Sequence, residues 1–152
     1  MNPGKKTARY QRLFKQIETL LLQSSDPDAR MATLVAVLHH KMEYFFWTGF
    51  YVIKGGNLIV KTYQGPLACQ VLPPHEGVCW AGVDQQKTII VPDVHHFPGH
   101  IACDSRSRSE IVLPLRNNKD EIIGVLDIDS ELLNAFDETD AGFLEKMLLL
   151  IF

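Results

Sequence analysis

Glu110-Ile-Val-Leu-Pro-Leu115 and Glu121-Ile-Ile-Gly-Val-Leu-Asp-Ile-Asp129, joined by Asn117-Asn118-Lys119-Asp120, decide the fold of this chain. Asn and Asp between two apolar runs signal a turn, because their side chains hydrogen-bond their own main chain and tolerate left-handed backbone. The flanking runs then read as the two strands of an antiparallel hairpin. Side chains alternate across a strand, so Val125, Asp127 and Asp129 face together, opposite Leu126 and Ile128. Aspartate is depleted in strands, and neighbouring like charges disfavour each other unless a cation or a shared proton intervenes. The spacing leaves open a solvated sheet face or a pocket whose ligand compensates the charge. Glu110, at the start of the neighbouring strand, tilts the reading towards a pocket.

A second hairpin lies upstream. Trp47-Thr-Gly-Phe-Tyr-Val-Ile53 and Asn57-Leu-Ile-Val-Lys-Thr-Tyr63 flank the glycine-bearing turn Lys54-Gly55-Gly56. Trp47, Gly49 and Tyr51 share one face of the first strand, and Thr48, Phe50 and Val52 the other. A short strand is expected near Cys69 to Leu72, ended by Pro73-Pro74, then a short helix from Glu76-Gly77 to about Gln86 and a strand from Thr88 to Val91. Pro92 to Arg108 is a long polar loop holding His95, His96 and His100. Loops of that length in compact domains are functional or disordered.

Helices bracket the strands. Tyr10, Leu13, Phe14, Ile17, Leu20 and Leu21 draw an apolar stripe along a helix from about Thr7 to Ser24. Asp26-Pro27 caps a second helix, on which Met31, Leu34, Val35, Leu38 and Met42 keep the helical spacing. Phe136-Asp137-Glu138-Thr139-Asp140 opens a closing helix with carboxylates at its positive end. The architecture is α+β, an antiparallel sheet flanked by helices: residues 1–44 supply helices that pack on the sheet, 45–152 the core, and 1–152 form one structural domain.

Composition narrows the function classes. A chain of 152 residues buries a real core without disulfide staples. Its three cysteines are an odd number and its opening MNPGKKTARY has no apolar signal region, so a reducing cytoplasmic setting is expected. A net charge of -3 gives no basic field for nucleic acid. The longest apolar stretch, Met147 to Phe152, is too short to span a bilayer. The apolar first helix and Leu148-Leu-Leu-Ile-Phe152 offer a surface for a homodimer.

Each cysteine stands in a turn-like setting: Gly65-Pro-Leu-Ala-Cys69, Gly77-Val-Cys79 and Gly99-His-Ile-Ala-Cys103-Asp104. Structural cysteines usually sit within apolar runs. Cys103 has His100, Arg106 and Arg108 nearby, and positive neighbours favour the reactive thiolate. Cys69, Cys79, Cys103, His95, His96 and His100 are also zinc-ligand types, but their gaps match no common structural zinc pattern. Redox chemistry is the better reading, with no metal and no cofactor expected.

These motifs, with Trp47-Thr-Gly-Phe-Tyr51, Asp93-Val-His95, Ser109-Glu-Ile-Val-Leu-Pro114 and Gly124-Val-Leu-Asp-Ile-Asp-Ser130, resemble those of the free methionine-R-sulfoxide reductases, which are built on a GAF domain. The resemblance covers about Trp47 to Asp140. It departs at Trp80, where the family usually has glycine, and the chain stops at Phe152, earlier than many relatives.

The resemblance implies reduction of free L-methionine-(R)-S-oxide to L-methionine, with thioredoxin as reductant. By motif position it makes Cys103 the nucleophile, Cys69 its resolving partner and Cys79 a second or relay thiol. It also implies that Glu110, Asp127 and Asp129 bind the ammonium group and protonate the sulfoxide oxygen, with Trp47 and Tyr51 walling the methyl and thioether. Other readings of a GAF fold are a small-ligand-binding module and a thiol redox sensor without turnover.

Overall fold

In the computed structural model, which describes residues 1–152, the helices are α1 (Pro3–Leu21), α2 (Pro27–Lys41), α3 (Gly77–Gln85) and α4 (Glu138–Leu148). The strands are β1 (Trp47–Lys54), β2 (Asn57–Gln64), β3 (Val71–Leu72), β4 (Ile89–Val91), β5 (Ser109–Arg116) and β6 (Ile122–Ser130), with a short 3-10 turn at Val94–His96 inside the long loop. The first helix starts a turn earlier than its apolar stripe announces and ends at Leu21 rather than Ser24. The cause is a cap: the Asn2 side chain accepts from the Lys5 N–H, and Pro3 sits in the first turn. Asp26 caps α2, and Asp137 and Asp140 form a reciprocal capping box on α4.

The six strands lie in the order β3-β2-β1-β6-β5-β4. All neighbours are antiparallel, and the pairing of β1 with β6 fuses the two hairpins. The strand expected from Cys69 to Leu72 is confined to Val71–Leu72, which leaves Cys69 in the loop before it. Similarly, the strand expected from Thr88 begins at Ile89.

Alternation sends Phe50, Ile111, Leu113, Leu115, Leu126 and Ile128 to one face, where α1, α2 and α4 close over them in a core of 22 buried residues. The opposite face has a smaller apolar cluster of 11, covered by α3 and irregular segments, so most of the stabilising burial lies on the helical side.

The stripe of α1 continues upstream to Lys6, which is buried with Tyr10, Leu13, Ile17 and Leu21. Lys6 Nζ donates to Asp140 Oδ2 at 2.7 Å and to the Ala135 carbonyl at 3.1 Å. The hydroxyls of Tyr10 and Tyr44 both donate to Asp140 Oδ1. This network bolts the first helix to the last. Most of the α1 stripe is therefore used within the chain's own core, as is Ile151, while Leu149 and Phe152 stay exposed. No helix is long and apolar enough to cross a membrane.

Candidate active site

Strand register assembles the floor of a pocket on the less covered face. Trp47 of β1, Asp129 of β6 and Glu110 of β5 stand in one row across the sheet; Gly49, Asp127 and Val112 stand in the next. Gly49 is what lets Trp47 lie across the strand. A Cβ there would come within 2.5 Å of the Trp47 ring and of Tyr63 Cβ. The indole instead stacks between Tyr51 and Tyr63, at centroid distances of 5.8 and 5.3 Å. Residues of α3 and of the Cys69 and Cys103 loops complete a pocket that opens to solvent.

The register thus decides between the two readings of the aspartate strand. Glu110 and Asp127 are 5% and 6% exposed, which rules out a solvated sheet face, and Asp129 is half-buried. Asp127 Oδ1 is buried with no hydrogen-bond partner. Burial pushes all three carboxyls up; the Asp127 and Asp129 charges push Glu110 further, and the Asp127 and Asp104 charges do so for Asp129. Acids this close titrate as a group and share protons.

The third thiol belongs to the same cluster. Cys79 is buried inside α3 rather than in a turn, and burial, then the charges of Asp127, Glu110 and Asp129, push its thiol well up. Its sulfur and one oxygen each of Glu110 and Asp127 lie within 4.8 Å of one another, so this trio is where a cation would be held. The six zinc-type residues weighed from sequence do not converge. His95 and His96 are exposed, and Cys69 and Cys103 are joined to each other as a disulfide, with Cα atoms 5.4 Å apart.

The aromatic wall also holds the Cys69 loop. The Tyr51 hydroxyl donates to the Cys69 carbonyl at 2.8 Å, and Trp47 Nε1 donates to the Pro66 carbonyl at 3.1 Å. Gly65 (φ +120°) permits the turn into this loop, because a Cβ there would approach the Phe46 carbonyl oxygen to 2.7 Å.

The positive setting expected around Cys103 is built differently. Arg106 gives Nε and Nη2 to Asp104 at 3.0 and 2.7 Å and lies over the Phe46 ring, so its charge is engaged by a carboxylate. That contact holds Asp104 down at about 2. His100, read from sequence as a loop residue, lines the pocket with Nε2 3.8 Å from Glu110 Oε1. Burial, then His95, lowers its basicity. Its place three residues before Cys103 was the available signal. Trp80 is packed away from the pocket, and its indole donates to the Leu72 carbonyl at 3.1 Å.

The six-stranded sheet carries α1, α2 and α4 on one face and the pocket on the other, and the GAF domain family matches residues 25–151. The chain is 46% identical over 152 residues to GAF domain-containing protein A of Dictyostelium discoideum, covering 99% of this chain and 95% of that one. It is 38% identical over 142 residues to the free methionine-R-sulfoxide reductase of Escherichia coli, covering 93% and 86% respectively. It also superimposes on the free methionine-R-sulfoxide reductase of Neisseria meningitidis, solved with its substrate, with a TM-score of 0.91 at 42% identity, covering 96% of this chain and 87% of that one. The chain belongs to the free methionine-R-sulfoxide reductase family of GAF-domain proteins.

Proposed function

We propose that this protein reduces free L-methionine-(R)-S-oxide to L-methionine in a reducing cytoplasm and is recycled by thioredoxin. The observation that carries the reading is the presence, in one pocket, of Cys103, joined to Cys69 as a disulfide, and of a buried carboxylate, Asp127, whose Oδ1 lacks a partner. A buried anion of that kind calls for a cation. The ammonium of a free amino acid supplies one, whereas a methionine within a peptide does not.

In this mechanism the reduced Cys103 sulfur takes the sulfoxide oxygen, methionine leaves, and Cys103 remains as a sulfenic acid. Glu110, Asp127 and Asp129 divide two tasks. Because their affinities for protons are raised, a protonated member serves the sulfoxide oxygen while ionised partners hold the ammonium. Trp47 and Tyr51 pack on the methyl and thioether. Cys69 then condenses with the sulfenic acid, expelling water, and the disulfide is reduced by two electrons and two protons from an external dithiol. Cys79, kept protonated by its surroundings, acts as a reserve or relay thiol.

A redox sensor without turnover would share the disulfide, and a single assay separates the two. Oxidation of NADPH through thioredoxin reductase and thioredoxin is followed with free R-sulfoxide, free S-sulfoxide and a peptide-bound sulfoxide. Catalytic consumption with the free R epimer alone is expected. Comparable turnover of the S epimer or the peptide, or no turnover at all, overturns the reading.

A further inference from the structure

Three aromatic donors suspend the segment that carries Cys69. Trp47 holds the Pro66 carbonyl, Tyr51 holds the carbonyl of Cys69 itself, and Trp80 Nε1 holds the Leu72 carbonyl at 3.1 Å. Trp47 and Tyr51 line the pocket, whereas Trp80 does not; it is 4% exposed and packs with Leu58 and Leu72 in the smaller apolar cluster. Its partner belongs to β3, a two-residue strand at the edge of the sheet that pairs with β2 alone. So short an edge strand has little holding power of its own. The indole gives it a further attachment, to α3.

Leu72 follows Cys69 by three residues, so an anchor at Leu72 confines Cys69 to a reach of roughly 10 Å. The same indole adjoins Cys79 in sequence, and so ties the helix bearing Cys79 to the segment bearing Cys69. We propose that Trp80 is a positioning residue for the resolving cysteine: by holding Leu72 it keeps Cys69 beside Cys103. The inference rests on the proposed reaction, in which Cys103 becomes the sulfenic acid. In the step concerned, a bond forms between the two sulfurs and the S–O bond of Cys103 breaks. The hydroxyl leaves as water with the Cys69 proton, and no outside reductant takes part. Such a step runs at a rate set by how well the attacking thiol is held near its target.

The test times the two half-steps separately. Reduced Trp80→Phe protein keeps an aromatic ring in the same space and lacks the N–H donor. It is mixed with free methionine-R-sulfoxide, and methionine release and disulfide formation are each followed by rapid quench. The first equivalent of methionine should appear at the wild-type rate. The Cys69–Cys103 disulfide should form about tenfold more slowly, the effect of losing one buried hydrogen bond, and a sulfenic-acid-specific diketone should label more Cys103. Equal disulfide rates in the two proteins overturn the proposal, as does an equal slowing of both half-steps in a variant that melts like the wild type. Trp80→Met, which fills much of the same volume without a donor, carries the same comparison if the phenylalanine variant does not fold. Absence of methionine release from the wild-type protein overturns the parent reading as well, whereas normal release with an unchanged disulfide rate overturns this inference alone.

Discussion

Asp140, on the helical face of the sheet, and Asp127, on the opposite face, are both enclosed carboxylates, 0% and 6% exposed. Asp140 has both oxygens occupied, Oδ1 by the hydroxyls of Tyr10 and Tyr44 and Oδ2 by Lys6 and the Asp137 N–H. Asp127 has an oxygen, Oδ1, without a partner, and its charge pushes the carboxyls of Glu110 and Asp129 up. A buried carboxylate given a cation and donors holds elements together. Left among other acids, it takes up protons and awaits a cation from outside. The molecule tolerates the second arrangement because the larger core lies on the other side of the sheet, where the polar groups are paired.

The strongest way to break this contrast is at the thiols. Cys103→Ser should abolish even a single turnover while leaving the melting temperature of the reduced protein unchanged. Cys69→Ser should still release one methionine per enzyme and then stall. Methionine yield under single-turnover conditions checks both, and the opposite pattern would show that the nucleophile has been misassigned.

On the helical face the expected loss is of stability. Asp140→Ala leaves the buried Lys6 ammonium only Asp137 Oδ2 at 3.3 Å and the Ala135 carbonyl, removes the acceptor of the Tyr10 and Tyr44 hydroxyls, and should cost about 3 kcal/mol in urea unfolding. The folded fraction should still turn over substrate. A loss under 1 kcal/mol would mean that the network is not what anchors α1 to α4.

Asp127→Asn sharpens the comparison from the other side. Turnover should fall by about tenfold to a hundredfold through lost proton donation or ammonium binding, with a melting temperature equal to or above that of the wild type, since the change removes a repelling charge. Glu110→Gln and Asp129→Asn should behave in the same direction. Near-normal turnover in all three variants would sink the acidic-pocket mechanism even if Cys103 proved essential.

The smallest expected effect is on pH dependence. Burial, joined at Glu110 and Asp129 by the charges of neighbouring carboxylates, makes Glu110, Asp127 and Asp129 hold protons more tightly folded than unfolded. Above about pH 4, where unfolded carboxyls ionise, the folded chain therefore binds more protons. Stability that these acids supply at low pH is lost as pH rises through their raised values. The gain of Asp127→Asn over wild type, measured by urea unfolding, should accordingly grow as pH rises above about 4. A gain that does not change with pH would argue that the cluster is not protonated in the folded state.

Much of this was legible locally. Alternation along β6 put Asp127 and Asp129 on one face, and alternation along β1 put Trp47 and Tyr51 together, because side-chain period in a strand is fixed by the backbone. The Asp26-Pro27 cap and the Asp137 box announced α2 and α4 through groups a few residues apart. The apolar stripe of α1 places its start too late, because the Asn2-Pro3 cap lies a turn upstream, and Lys6, four residues before Tyr10 on the same stripe, is a buried cation that apolar periodicity does not mark. Of the basic residues near Cys103, Arg106 is engaged by Asp104, a pairing that a list of neighbouring charges does not reveal.

The sequence by itself determined the α+β class, the two hairpins, the shared face of the acids and, through its motifs, the family, because each depends on residues near one another along the chain. Only the tertiary structure decided that Glu110, Asp129 and Trp47 stand in one row, that Asp127 keeps an oxygen free, and that Trp80 reaches Leu72. Joining Cys69 to Cys103 across 34 residues, or Lys6 to Asp140 across 134, depends on how the sheet registers and the helices dock. Those choices are made by packing the whole core at once, and no local periodicity encodes them.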